Sequence, residues 1–280
     1  MEEHKRRTRW DPNVIGVKLM IDVGSAAMAT VLVAPIVTVI DRAVAERVSS
    51  RMSFLASLRN SLTRLILRPH TFLFARPTRI MMLLYGSTYL TANTIDTMSS
   101  TAQDQPASTT TTGFLKFGAV SLVNLSLALY KDSQFTKMFG IISPRALPPA
   151  SYALLALRDS ITIFASFNLP PKLAPLLPQS VEDHVSRLTV AQFITPALAQ
   201  TVNTPLHLLG LDLYNRSNTM SIRDRLRKLR LDWLVAGLAR MCRVLPAFGI
   251  GVVVNNNLRA SMMGNLDQPH PISIKNKFRV

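Results

Sequence analysis

The chain has 280 residues, 48% of them hydrophobic and only 17% charged, with a formal net charge of +16. Soluble domains carry about a quarter charged residues, so the composition points away from an ordinary soluble protein and toward one that hides much of its surface from water. One cysteine, Cys242, and scattered histidines allow no internal disulfide and offer no ligand set at zinc spacing.

In chain order, the N-terminal MEEHKRRTRW is basic but opens on acidic residues, and reads as neither a secretory signal nor an acid-poor transit peptide. Six stretches are then almost free of charge: 19–40, broken by Asp22; 80–95; 117–130; 146–171, broken by Arg158 and Asp159; 188–211, with only His207; and 244–258. A membrane-spanning helix needs about 20 mainly apolar residues. Several of these runs are short and carry Ser, Thr, Asn, Gly and Pro. Core helices of a soluble all-α protein could read this way, but the number of runs favours membrane helices with one face on lipid and the other on a polar cavity.

The connections alternate in charge. Residues 43–79 carry Arg47, Arg51, Arg59, Arg64, Arg68, Arg76 and Arg79; 131–145 carry Lys131, Lys137 and Arg145; 216–243 are the most basic of all. Between them, 96–113 have no Lys or Arg before the next run, and 170–187 are nearly balanced. This is the positive-inside pattern of a six-span protein. In the last basic segment, Ile222, Leu226, Leu229 and Trp233 fall on one helical face beside Arg223, Arg225, Arg227, Lys228 and Arg230. An amphipathic surface helix facing anionic membrane lipids is expected there, rather than a nucleic-acid contact. Gly249-Ile-Gly251 lacks the third glycine and the preceding strand of a dinucleotide fingerprint. No cofactor is expected, and no nucleophile or carboxylate pair suggests an enzyme.

The sequence also repeats. SAAMATVLVAPIVTVIDRA around Pro35, FGAVSLVNLSLALYKDS around Ser121 and TPALAQTVNTPLHLLGLDLYNRS around Pro205 align at nearly equal spacing. Arg76/Arg79 and Arg240/Arg243 form matching Arg-x-x-Arg pairs, each after a basic amphipathic stretch, and Arg158 holds a similar place between them. With GLARMCRVLPAFGIGVVVNNNLR, these features resemble the mitochondrial carrier family and its Gly-Leu-x-x-Arg-x-x-Arg-x-x-Pro sixth helix. The resemblance departs at the family's Pro-x-Asp/Glu-x-x-Lys/Arg signature: Pro35 is followed by Val37 and Ile40, Ser121 by Val123 and Ser126, and Pro205 by His207 and Gly210. Asn168 and Asn255–Asn256 stand where the second gate motif has acids.

The resemblance implies an all-α membrane protein of six transmembrane helices, as three tandem two-helix repeats in a pseudo-threefold bundle. The corresponding division is a basic tail (1–13), repeat 1 (14–100), a Ser/Thr-rich loop (101–112), a degenerate repeat 2 (113–178), repeat 3 (179–262) and a C-terminal tail (263–280). It also implies alternating-access transport of a small, anionic metabolite across a mitochondrial membrane, the inner before the outer. A non-transporting adaptor or scaffold with a protein partner is the alternative, favoured by the lost gate motifs. Pro35 and Pro205 are expected to kink their helices. Arg79, Arg158 and Arg243 are the candidate solute-binding residues. Arg158 lies mid-segment, where a charge needs a cavity, a solute or a partner such as Asp159; adjacent residues diverge by about 100° on a helix, which favours the cavity.

Overall fold

The computed structural model describes residues 10–111, 113–142, 146–167, 169–183, 185–216 and 221–267. Arg145, Asn168, His184 and most of both tails lie outside the described residues. The chain is helical: α1 (Pro12–Val48), α2 (Phe54–Leu67), α3 (Pro69–Leu73), α4 (Arg76–Ala102), α5 (Phe114–Phe139), α6 (Pro149–Phe167), α7 (Pro170–Leu173), α8 (Arg187–Asn215), α9 (Ile222–Val244), a π-helical segment (Leu245–Ile250) and α10 (Gly251–Asp267).

The first helix starts where local chemistry allows it. Asp11 Oδ1 accepts the backbone N–H of Asn13 at 2.8 Å, and Pro12 occupies the first turn, where its missing N–H costs nothing. From there α1 packs on α4, α4 on α5, α5 on α6, α6 on α8 and α8 on α9; α9, the π segment and α10 return to α1. The bundle thus closes on its first helix.

Its polarity is inverted relative to a water-soluble bundle. On α1, Met20, Val23, Met28, Val31 and Leu32 are exposed while Asp22, Ser25, Thr30 and Asp41 are buried. Leu122, Leu198, Val202, Leu238 and Val253 repeat the outward apolar pattern, and Asn93, Lys131, Arg158 and Arg259 the inward polar one. Apolar residues outside and charges inside suit a hydrocarbon solvent. The polar inner faces also dilute hydropathy: only α1 and α5, among the described residues, are long and apolar enough to cross a membrane by length and composition.

The carrier-type triplication is not shown. The basic helix α2 has no counterpart between α5 and α6, and the surface helix, turn and membrane helix expected in the last third are one continuous α9. The apolar face expected on α9 is divided. Ile222, Leu226 and Trp233 are exposed, while Leu229 packs against the core formed by Val44, Val48, Leu208 and Leu211. Two of the basic residues turn inward: Arg225 pairs with Asp212 at 2.7 Å, and Lys228 Nζ caps the end of α1 by donating to the Val48 carbonyl at 2.8 Å.

Pro35 and Pro205 both lie inside continuous helices, as does Pro196. Pro205 cannot donate to the carbonyl four residues earlier, that of Thr201. Trp233 Nε1 of α9 donates to that carbonyl at 2.9 Å, so a neighbouring helix supplies the lost bond. Gly251 is required by a close approach: a Cβ there would sit 2.0 Å from Tyr89 Oη and 2.8 Å from Val33 Cγ2. The Tyr89 hydroxyl in turn donates to the Ala247 carbonyl, 2.9 Å away in the π segment.

The two ends of the bundle differ as the loop charges predict. Arg216 with Ser50 (2.9 Å) and Arg51 with the Met138 carbonyl (3.1 Å) tie the basic end. Lys18 with Thr101 (3.3 Å) and Arg259 with the Thr109 carbonyl (3.3 Å) tie the Ser/Thr-rich end.

Candidate functional site

Toward the basic end, charges from α1, α5, α6 and α9 converge in one buried layer, joined by His207 of α8. The seed is Asp41 on α1. It accepts Lys131 Nζ of α5 at 2.8 Å and Arg243 Nη1 of α9 at 3.0 Å (Oδ1) and 2.8 Å (Oδ2). Lys131 and Asp132 are adjacent on α5 and touch at 2.5 Å, but they diverge around the helix. Lys131 therefore reaches Asp41 while Asp132 reaches Arg158 Nη2 of α6 at 2.7 Å.

Arg158 is the hub on the other side. It is 2% exposed and pairs with Asp132 and Asp159, donating Nε to Asp159 Oδ1 at 2.9 Å. Its Nη1 lies 2.8 Å from His207 Nδ1 on α8. A guanidinium has no acceptor, so Nδ1 must be the bare nitrogen of the ring. The expectation that Arg158 and Asp159 diverge too far to pair is thereby overturned: the long arginine side chain folds back across the 100° between neighbours.

Arg240 completes the layer, one turn before Arg243 on the same face of α9. It too is 2% exposed. Its Nε has no hydrogen-bond partner, and among the described residues no carboxylate reaches ion-pair distance. Four cations (Lys131, Arg158, Arg240, Arg243) thus face three carboxylates (Asp41, Asp132, Asp159). Removing one partner from such a buried set leaves a charge that costs several kcal/mol.

A second polar layer lies toward the other end. Asp22 of α1 holds Arg259 of α10 at 2.8 Å and accepts Thr97 Oγ1 of α4 at 2.6 Å. Asn93 and Asn255 exchange amide hydrogen bonds at 2.9 and 2.8 Å, which gives Asn255 an interhelical role. Lys116 of α5 pairs with Asp96 of α4 at 2.8 Å. Asp22 and Asp41 are about 28 Å apart along α1 at 1.5 Å per residue, close to the ~30 Å of a bilayer core.

The structure therefore brings Arg158 and Arg243 together and leaves Arg79 out. Arg79 is exposed on α4, so it is not part of this site. Its inclusion rested on one arginine per repeat, and the structure does not show that triplication. Asp41, Lys131, Asp132, His207 and Arg240 join instead; the sequence signal was charge near the ends of apolar runs and, for His207, the one titratable residue inside 188–211.

Residues 25–263 match the family described as probable citrulline exporter. The chain belongs to that family. The resemblance to mitochondrial carriers is thereby corrected, for no carrier family matches. What suggested it, prolines and small residues in apolar helices and arginines at their ends, is common to polar-lined bundles; the carrier signature itself was missing. The probable citrulline exporter family makes this an all-helical protein of membrane transport, with a small-molecule solute that need not be anionic. The mitochondrial setting, inferred through the carriers, gains no support from the match. No curated protein and no solved structure matches the chain.

Proposed function

We propose that this protein exports a small, polar, citrulline-like amino acid through the interior of its helical bundle, and that the Asp41-centred layer is a barrier that parts and re-forms in each cycle. The observation that carries this reading is the convergence of paired charges from four helices on one buried level. Charges buried in a membrane bundle are costly and mark a solute path, a proton relay or a gate. A layer made of cross-helix pairs can break one pair at a time and re-form elsewhere, which a sealed apolar plug cannot. The inward polar faces supply the path, and the Asp22–Arg259 layer gives the opposite end its own closure. Nothing in the fold favours the adaptor reading.

Efflux of labelled L-citrulline from liposomes containing the purified protein tests this. Release well above that of protein-free liposomes, and saturable with concentration, is expected. Release equal to the protein-free control for citrulline and for related neutral amino acids would reject the transport reading.

A further inference from the structure

Arg240 is the one cation of the layer that no carboxylate of the described chain neutralises. Its neighbours Asp41 and Asp132 are already taken, Asp41 by Lys131 and Arg243 and Asp132 by Lys131 and Arg158. A buried guanidinium with an idle Nε offers a planar donor fork that fits a carboxylate. On α8, one turn or about 6 Å before His207, the Asn203 Oδ1 acceptor is buried and also lacks a partner, while its Nδ2 donates to Thr162 of α6 at 2.8 Å. Asn203 thus lies in the same α6–α8 seam as the Arg158–His207 contact. Arg240 on α9 offers a carboxylate receptor, and Asn203 in the seam offers an acceptor for N–H groups.

We infer that Arg240 receives the α-carboxylate of the transported solute, with the N–H-bearing remainder directed along α8 toward Asn203. This rests on the transport reading above and adds the solute's chemical class to it: a free carboxylate is required, whatever the side chain. The layer's surplus cation then has a purpose. With solute absent it keeps the layer short of charge balance; with solute present the carboxylate supplies the missing negative charge and competes for the neighbouring cations.

The test compares L-citrulline with L-citrullinamide, which lacks the carboxylate, using the wild type and Arg240→Met. In detergent, the solute-free Arg240→Met protein is expected to melt about 2–4 °C above the wild type, because an uncompensated buried charge has been removed. A purely structural arginine would give a fall instead. L-citrulline should raise the wild-type melting temperature, L-citrullinamide should not, and Arg240→Met should respond to neither. In liposomes, Arg240→Met should cut L-citrulline flux about 100-fold, the loss of one charge-assisted contact. Flux or stabilisation with L-citrullinamide equal to that with L-citrulline would overturn the inference, as would an Arg240→Met protein as active as the wild type. If the wild type moves no amino acid but still shows the citrulline-specific shift, the transport reading falls and the carboxylate site stands.

Discussion

Asp41 and Arg243 lie 202 positions apart in sequence, yet both carboxylate oxygens of Asp41 sit within 3.0 Å of Arg243 Nη1. This contact ties the first helix to the last third of the chain in the interior of the bundle. It is the joint at which the ring of helices closes on its basic side.

Removal of either partner should show that joint in stability. Asp41→Ala strands Arg243 and leaves Lys131 with Asp132 alone, and a cost of about 3–5 kcal/mol is expected for breaking a buried pair. Arg243→Ala leaves Lys131 with Asp41 and should cost less. The double variant should cost less than the sum of the two, by at least ~1 kcal/mol. Thermal unfolding in detergent measures all three; strict additivity would mean that the two residues do not share one network.

Arg79 and Arg158 should separate cleanly. Arg79→Gln removes an exposed charge and should change stability by less than ~0.5 kcal/mol and leave citrulline flux at wild-type level. Arg158→Gln abandons Asp159, leaves Asp132 with Lys131 alone, and should lower both stability and flux strongly. Equal effects of the two substitutions would restore the idea of one equivalent arginine per third of the chain.

Much of the fold was legible in the sequence and part of the site was not. The charge-free runs, Pro35 and Pro205 inside helices, and the basic and Ser/Thr-rich ends follow from local composition, which a bilayer constrains closely. Arg158 was found because a charge inside an apolar run stands out, and Arg243 because its Arg-x-x-Arg pair recurs in the sequence. Asp41, Lys131, Asp132 and Arg240 lie at the margins of such runs, and only the tertiary fold shows that their helices deliver them to one level. Arg225 was grouped with the cations facing lipid, and only the tertiary fold brings Asp212 to it; Arg79 was included by aligning three arginines to a triplication that the structure does not show.

The inward turn of Arg225 gives its own prediction. Arg225 pairs with Asp212 at 2.7 Å while Leu226 is 51% exposed. Arg225→Ala should lower the unfolding temperature in detergent more than Leu226→Ala, since it leaves Asp212 with one cation fewer and removes a packed side chain. The opposite order would return Leu226 to the bundle interior.

Trp233 and Pro205 should be coupled through the Thr201 carbonyl. Trp233→Phe removes the indole donor and should cost about 1 kcal/mol in excess of its packing loss. In a Pro205→Ala background the backbone N–H gained at that position donates to the carbonyl itself, so the excess should vanish. An unchanged cost of Trp233→Phe in that background would show that the indole does not replace the proline's missing bond.

The most direct test of the barrier is access to the interior behind it. Asn203 is 0% exposed and sits about one turn beyond the His207 contact. With the exposed Cys242 changed to Ser, Asn203→Cys can be labelled with a membrane-impermeant thiol reagent applied from the basic side of oriented proteoliposomes. A closed ionic layer predicts slow labelling in this background and labelling at least tenfold faster when Asp41→Asn is added. Labelling at the same rate with the layer intact and broken would contradict the assignment of Asp41, Lys131, Asp132, Arg158 and Arg243 as the gate.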